Sequence, residues 1–157
     1  MNGKRPPHSR PDGVDPAARS RSRRRALQAL YAWQMSGQAM AQVIEQFRHE
    51  QDMQIADLAY FEDLLRGVDA NLARLDTELR QFVDRELAEI DPIERSVLRL
   101  AAYELLFRPD VPWRVVLNEA VETTKRFGAD QGHTYVTGVL DRAAASWRAV
   151  EVAAGRG

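Results

Sequence analysis

The 157-residue chain contains no cysteine. That excludes disulfides, thiolate zinc sites, iron–sulfur clusters and a cysteine nucleophile, and it suits a reducing compartment such as the cytoplasm. No uncharged apolar run approaches the ~20 residues that a membrane-spanning helix needs. Proline is missing from residue 17 to residue 91, and glycine occurs there only as Gly37 and Gly67. So few breakers over so long a stretch favour helices. No segment shows the period-2 alternation of a half-buried strand, and no internal repeat is present.

Catalytic signatures are equally scarce. His8, His49 and His133 are the three histidines, and none has a second at ligand spacing, so no metal is expected. His133 and Asp141 stand two turns apart, a spacing open to a base and its orienter. A helix-start histidine and a surface acid are the ordinary reading. No serine carries the flanking glycines of a nucleophile elbow, and there is no phosphate-binding glycine loop or dinucleotide fingerprint. Glu62, Asp63 and Asp69 read as a solvated acidic face, because acid–base work needs burial to split two carboxyl pKa values. Neither an enzyme nor a cofactor is expected.

What the chain does have is lopsided charge. Its net charge is −1, yet residues 1–25 hold eight basic side chains against two aspartates, a net +6, leaving −7 on the remainder. A basic end on an acidic body points to an anionic partner for the N-terminus or to a solubilising tail. Residues 1–16, with four prolines, are expected to be a disordered basic tail, and residues 17–148 one domain. The acids Asp12 and Asp15 and the missing apolar segment count against a targeting peptide. Residues 149–157 are expected to be a frayed C-terminal tail.

The expected fold class is all-α, about six or seven helices in a bundle. The first runs from Asp15 or Pro16 to Ser36 with Gly37 as its C-terminal cap, and its stripe is Leu27, Leu30, Tyr31, Gln34 and Met35. A second fits residues 40–49. A third starts near Ile55 and either runs on or breaks before Phe82. Asp91-Pro92-Ile93-Glu94 is a capping box with proline at the first helical position, and that helix ends before Pro109. Pro112 opens the next, closed by Gly128. The last spans 131–147, with Asp130 as its cap. The final three are apolar on one face and should stack as the core.

Arg19, Arg21, Arg23, Arg24 and Arg25 fall within seven residues at the start of the first helix. Positive charge there opposes the helix dipole, and an anionic ligand would remove the penalty. Arginine forks onto phosphate and stacks on bases. Arg24, Gln28 and Tyr31 share a face, and a basic run leading into an exposed aromatic suits single-stranded RNA. If Tyr31 is instead a core side chain, the arginines are merely solvated.

Several motifs, in order, resemble the NusB family of bacterial transcription antitermination factors. They are residues 23–34 (RRRALQALYAWQ), 60–68 (YFEDLLRGV), 93–105 (IERSVLRLAAYEL), 110–112 (DVP), 118–122 (NEAVE), 125–129 (KRFGA) and 136–141 (VTGVLD). Together they cover roughly residues 19–145. The resemblance implies two packed helical bundles and no catalysis. It also implies binding to the single-stranded boxA element of ribosomal RNA leaders, with the ribosomal protein NusE, in the RNA polymerase antitermination complex. The implied RNA residues are Arg19, Arg21 and Arg23 of the arginine-rich motif, with Arg24 and Arg25 as additional charge, Tyr31, and Thr134-Tyr135 at the last helix; Gln28 joins them by the face it shares with Arg24 and Tyr31. Phe82 and Arg85 rank lower. Thr134 stands where the family has lysine, and Gln131 where an acid is common. Glu94 is the implied contact to NusE. A homodimer stays open. Two alternatives remain: a module that only bridges proteins, and the NusB-like domain of a ribosomal RNA cytosine methyltransferase. The second requires the chain to be a fragment, since its cofactor domain finds no room here.

Overall fold

Asp15 starts the helical part of the chain. In the computed structural model, which describes residues 13–156, its carboxylate accepts from the Ala17 and Ala18 amides at 3.0 and 3.3 Å. Pro16 takes the first position of α1 (Pro16–Ser36), where a missing N–H costs nothing. The helix ends where Gly37, at φ +72°, donates its amide to the Trp33 carbonyl. There follow α2 (Met40–Arg48), a 3-10 turn (Gln51–Gln54), α3 (Leu58–Ala70), α4 (Leu72–Leu79), a second 3-10 turn (Leu87–Glu89), α5 (Pro92–Phe107), α6 (Trp113–Phe127), α7 (Gly132–Trp147) and α8 (Ala149–Arg156). The described residues contain no strand, and none of their helices is long and apolar enough to cross a membrane. The expected tail of residues 1–16 lies outside the described residues up to residue 12.

α5 is the axis. It is buried at nine positions between Ser96 and Leu105, on nearly every side, the pattern of a helix enclosed by others. α1, α3 and α4 pack against it on one side, α6 and α7 on the other, and α6 and α7 also pair with each other. The expected stacking of the last three long helices is therefore present.

Local chemistry accounts for the departures from expectation. α3 stops at Asn71, whose side-chain amide and backbone N–H both donate to the Gly67 carbonyl, at 2.8 and 3.1 Å. Such local bonds compete with helix continuation, and α4 restarts one residue later. Ile55 is 57% exposed rather than core; α3 begins at Leu58, capped by Asp57 through the Tyr60 amide at 3.0 Å. Asp130 does not cap α7. Gln131 does so from the left-handed region, φ +71°, without a side-chain bond. In α1, Tyr31 and Met35 face solvent, and Ala26, Leu27, Ala29 and Leu30 form the buried stripe.

Residues 149–156 are not a frayed tail but α8, with Val152 buried. Two interactions tie it down. Glu151 accepts from the Trp113 amide at 2.9 Å, capping α6 from a distance. Arg148, just before α8, donates to the carbonyls of Glu104, Leu105, Arg108 and Val111 at 2.7–3.2 Å. Among them is the Leu105 carbonyl, left without a helical partner because residue 109 is proline and has no N–H, and a cation at a helix C-terminus satisfies such a group.

Gly67 lets α3 and α5 approach. A Cβ on it would lie 2.1 Å from Cε1 of Tyr103, whose ring is stacked on Phe107 and whose hydroxyl donates to Asp63 at 2.9 Å. That ring has nowhere to retreat. Gly67→Ala is therefore expected to destabilise the fold by about 1–3 kcal/mol, although alanine is the better helix former by about 1 kcal/mol. Urea unfolding measures it; a stabilised variant would show that the two helices can part freely.

Candidate nucleic-acid interface

The arginine-rich segment lies on one helix, so its side chains fan around the axis at 100° intervals and cannot all face one ligand. Arg19 and Arg23, one turn apart, share the inward side with Leu27 and Leu30. Arg23 is only 6% exposed. Its Nε and Nη2 fork onto the Glu104 carboxylate at 2.8–3.1 Å, with Glu119 3.6 Å from Nη1. The Tyr60 hydroxyl donates to the same carboxylate. Burial, then the charge of Glu104, holds the Tyr60 phenol well above its ordinary value. Burial works against the Arg23 charge, but Glu104 more than offsets it and raises the guanidinium pKa. Arg19 lies 4.2 Å over the Tyr60 ring, near Asp57 (3.7 Å) and Asp110 (4.0 Å). The structure thus places the Arg23 guanidinium in the interior on Glu104 and sets Arg19 largely in the same network, whereas the sequence reading offered both to RNA.

The outward side of α1 is different. Arg21, Arg24, Arg25 and Gln28 line a groove of roughly 220 Å³ together with Arg126 and Phe127 from the end of α6. Arg21 makes one long contact, 3.4 Å to the Ile55 carbonyl. Arg25 pairs with Glu50, lies over Phe47 and donates to Gln28 Oε1 at 2.5 Å. Tyr31, the next turn along this face, is 36% exposed, so it is not a core side chain. Lys125 and Arg126, read from sequence only as part of a motif, occupy the last turn of α6. The signal for them was weak because basic residues at a helix C-terminus also complement the dipole.

A second group gathers at the start of α7. The Tyr135 hydroxyl donates to Asp84 at 3.2 Å, and the Arg85 guanidinium sits 4.7 Å from the Tyr135 ring while binding Asp84 at 2.8 and 3.3 Å. Burial, then Asp84, raises the Tyr135 phenol, and the Arg85 hydrogen bond keeps Asp84 below its ordinary value. Thr134 is exposed, its hydroxyl 3.4 Å from Gln131 Oε1. Phe82, ranked as a weaker RNA contact, is packed edge-on against Trp147, with ring centroids 5.5 Å apart, so its ring is largely occupied by the core.

Glu94 borders this second group. Its amide donates to Asp91 at 3.2 Å, which is half of the expected capping box. Its carboxylate has no hydrogen-bond or ion-pair partner among the described residues and lies over Gly132, where a Cβ would come within 2.8 Å of Oε2. Burial, then the Asp91 charge, raises this carboxyl above its usual range, against the pull of Arg85. An acid so placed is ready to receive a cation.

Comparison with known proteins fits this geometry. Residues 20–145 match the sequence model of the NusB family. A transcription antitermination protein NusB from Xanthomonas oryzae pv. oryzae (strain PXO99A) is 65% identical over 149 residues, spanning 95% of this chain and 96% of that protein. The solved structure of T. maritima NusB is 32% identical and superposes with a TM-score of 0.71 over 80% of this chain and 89% of its own. A structure of antitermination factors NusB and NusE in complex with dsRNA superposes with a TM-score of 0.73 over 85% and 98%; at 21% identity that likeness speaks for the fold alone.

Removing one member of a buried ion pair leaves the other charge uncompensated. Arg23→Ala is expected to cost about 3–5 kcal/mol in urea unfolding, and a variant as stable as the parent would place Arg23 at the surface after all. The raised Tyr60 phenol has its own signature. Its stabilising contribution is full below about pH 10, where tyrosine ionises in the unfolded chain, and is lost as pH climbs towards the higher folded-state value. Tyr60→Phe should flatten the alkaline fall of stability; an unchanged alkaline limb would mean that other groups cause it.

Proposed function

The chain belongs to the NusB family, and from that membership we propose that it binds single-stranded boxA RNA of ribosomal RNA leaders jointly with NusE, as part of the RNA polymerase antitermination complex in the cytoplasm. The family consists of antitermination factors rather than enzymes, so the reading needs a binding surface and no reaction. The observation that carries it is the arginine-lined groove beside α1, with no carboxylate among its described lining residues, and the exposed Tyr31 one turn beyond Gln28.

The roles follow from where each side chain stands. Arg21 and Arg24 supply phosphate contacts, and Gln28 an amide between them. Tyr31 and Tyr135 are the stacking platforms. Thr134 contributes a hydroxyl where a charge is more usual. Arg85 already covers one face of Tyr135, so a base stacks on the opposite face or displaces the guanidinium. With only Arg21 and Arg24 on phosphates, counterion release gives a log–log salt slope of about −1.4 from this face. Glu94 is the contact to NusE, an acid meeting a basic ribosomal protein. Because Glu94 lies over Gly132, three residues before Tyr135, the protein contact and the second RNA contact adjoin. A partner seated on Glu94 fixes the start of α7 and so strengthens RNA binding.

Anisotropy titrations with a labelled boxA-type RNA and a shuffled control, over a salt series with and without NusE, test the reading. Selective binding that NusE tightens is expected. Equal binding of both RNAs, indifferent to NusE, would leave a protein-bridging module instead. Tyr135→Ala should lose about 1–3 kcal/mol of RNA affinity with the salt slope unaltered. Glu94→Gln should weaken NusE binding and spare RNA binding by the lone chain; if NusE binds Glu94→Gln as tightly as the parent, the contact lies elsewhere.

A further inference from the structure

Arg24 and Arg126 border two grooves of unequal positive charge. On one side is the groove of roughly 220 Å³ described above, whose described lining residues include four arginines and no acid. On the other is a larger one of roughly 480 Å³, also bordered by Arg24 and Arg126 but carrying Glu119, Glu122 and Lys125. Three basic side chains against two acids leave the second only weakly positive, so an anion is drawn more strongly into the first. Arg126 has no carboxylate partner among the described residues; its one contact is the Phe127 ring, 5.9 Å away. Arg21, across the groove, has among the described residues only its long bond to the Ile55 carbonyl. These two guanidiniums therefore bring charge that no carboxylate of the described residues pairs. Gln28 is oriented by Arg25, which occupies its Oε1 and leaves the amide N–H groups to point elsewhere.

We propose that Arg126 closes a phosphate clamp with Arg21 and Arg24, so that one phosphodiester of the bound RNA seats between α1 and the end of α6. The clamp rests on the RNA-binding reading above and adds to it an element outside the arginine-rich helix. It also sets the path of the strand: the backbone passes between Arg24 of α1 and Arg126 of α6 on the Gln28 side, and the adjoining base lies towards Tyr31 one turn on. Arginine suits the position because its planar fork can bridge two phosphate oxygens, which a lysine cannot. The competing role for Arg126 is to complement the negative end of the α6 dipole. That role affects stability and not RNA binding.

The experiment compares the intact chain with Arg126→Ala, Arg126→Lys and Lys125→Ala. The probe is one single-stranded boxA-type RNA over a salt series, and each variant's melting temperature is recorded. Lys125→Ala removes the same unit of charge one residue away, outside the arginine-only groove. The clamp predicts that Arg126→Ala weakens binding and flattens the log–log slope by about 0.7. Arg126→Lys should keep the slope with reduced affinity, and Lys125→Ala should keep both. Three results overturn it: Arg126→Ala binding like the parent, a lowered melting temperature as its only effect, or Lys125→Ala matching Arg126→Ala, which reduces the effect to bulk charge. If the intact chain shows no salt-dependent binding at all, the RNA-binding reading itself fails, an outcome separate from any difference among variants.

Discussion

The buried fork of Arg23 onto Glu104, with the Tyr60 hydroxyl on the same carboxylate, joins α1, α3 and α5 at one point, and Glu119 brings α6 within reach of it. Taking two charges out of water is costly, and a buried pair is compensated only when its geometry is good and the remaining donors and acceptors are satisfied. Here the guanidinium is bidentate and the phenol fills a further acceptor position. The consequence reaches beyond stability. Once Arg23 is anchored inward, the rotation of α1 about its axis is settled. Arg19 follows Arg23 inward, one turn earlier, while Arg21, Arg24 and Gln28 are turned out towards the end of α6. The arginine-lined groove is thus set by the same rotation of α1 that seats the interior ion pair.

The acidic body of the chain gains a purpose in this light. Asp15 caps α1, Asp57 and Asp110 stand near Arg19, Glu104 and Glu119 hold Arg23, and Glu50 holds Arg25. These acids offset the cost of positive charge at a helix N-terminus. Among the described residues, neutralisation reaches Arg19, Arg23 and Arg25 and leaves Arg21 and Arg126 without a carboxylate. A net charge of −1 for the whole chain therefore coexists with a local positive groove, and the local field governs encounter with a polyanion.

Much of the fold was legible because its signals are local. The Asp15-Pro16 start, Gly37 as a left-handed cap and the Asp91-Pro92 start each rest on bonds within a few residues, and each stands where the sequence placed it. α8 was not legible. Its small, weakly patterned residues are held by Glu151 capping α6 and by Arg148 on the end of α5, contacts about 40 residues distant in sequence. The start of α7 was misjudged for a related reason. Gln131 adopts a left-handed conformation, and Gly132 passes beneath Glu94, a constraint imposed by α5 and invisible in the loop itself.

For the candidate site the division is sharper. The sequence by itself determined that the chain is helical, that its first helix is crowded with arginine, and that Tyr31 shares a face with Arg24 and Gln28, because helical periodicity and side-chain charge are properties of the local chain. It could not assign the five arginines to inside or outside, since each has the same charge and the same propensity. The tertiary structure decided that through partners far away in sequence: Glu104 and Tyr60 draw Arg23 in, and the end of α6 brings Arg126 to the groove. Burial of a charge depends on what stands opposite it, and that is settled only when the helices meet.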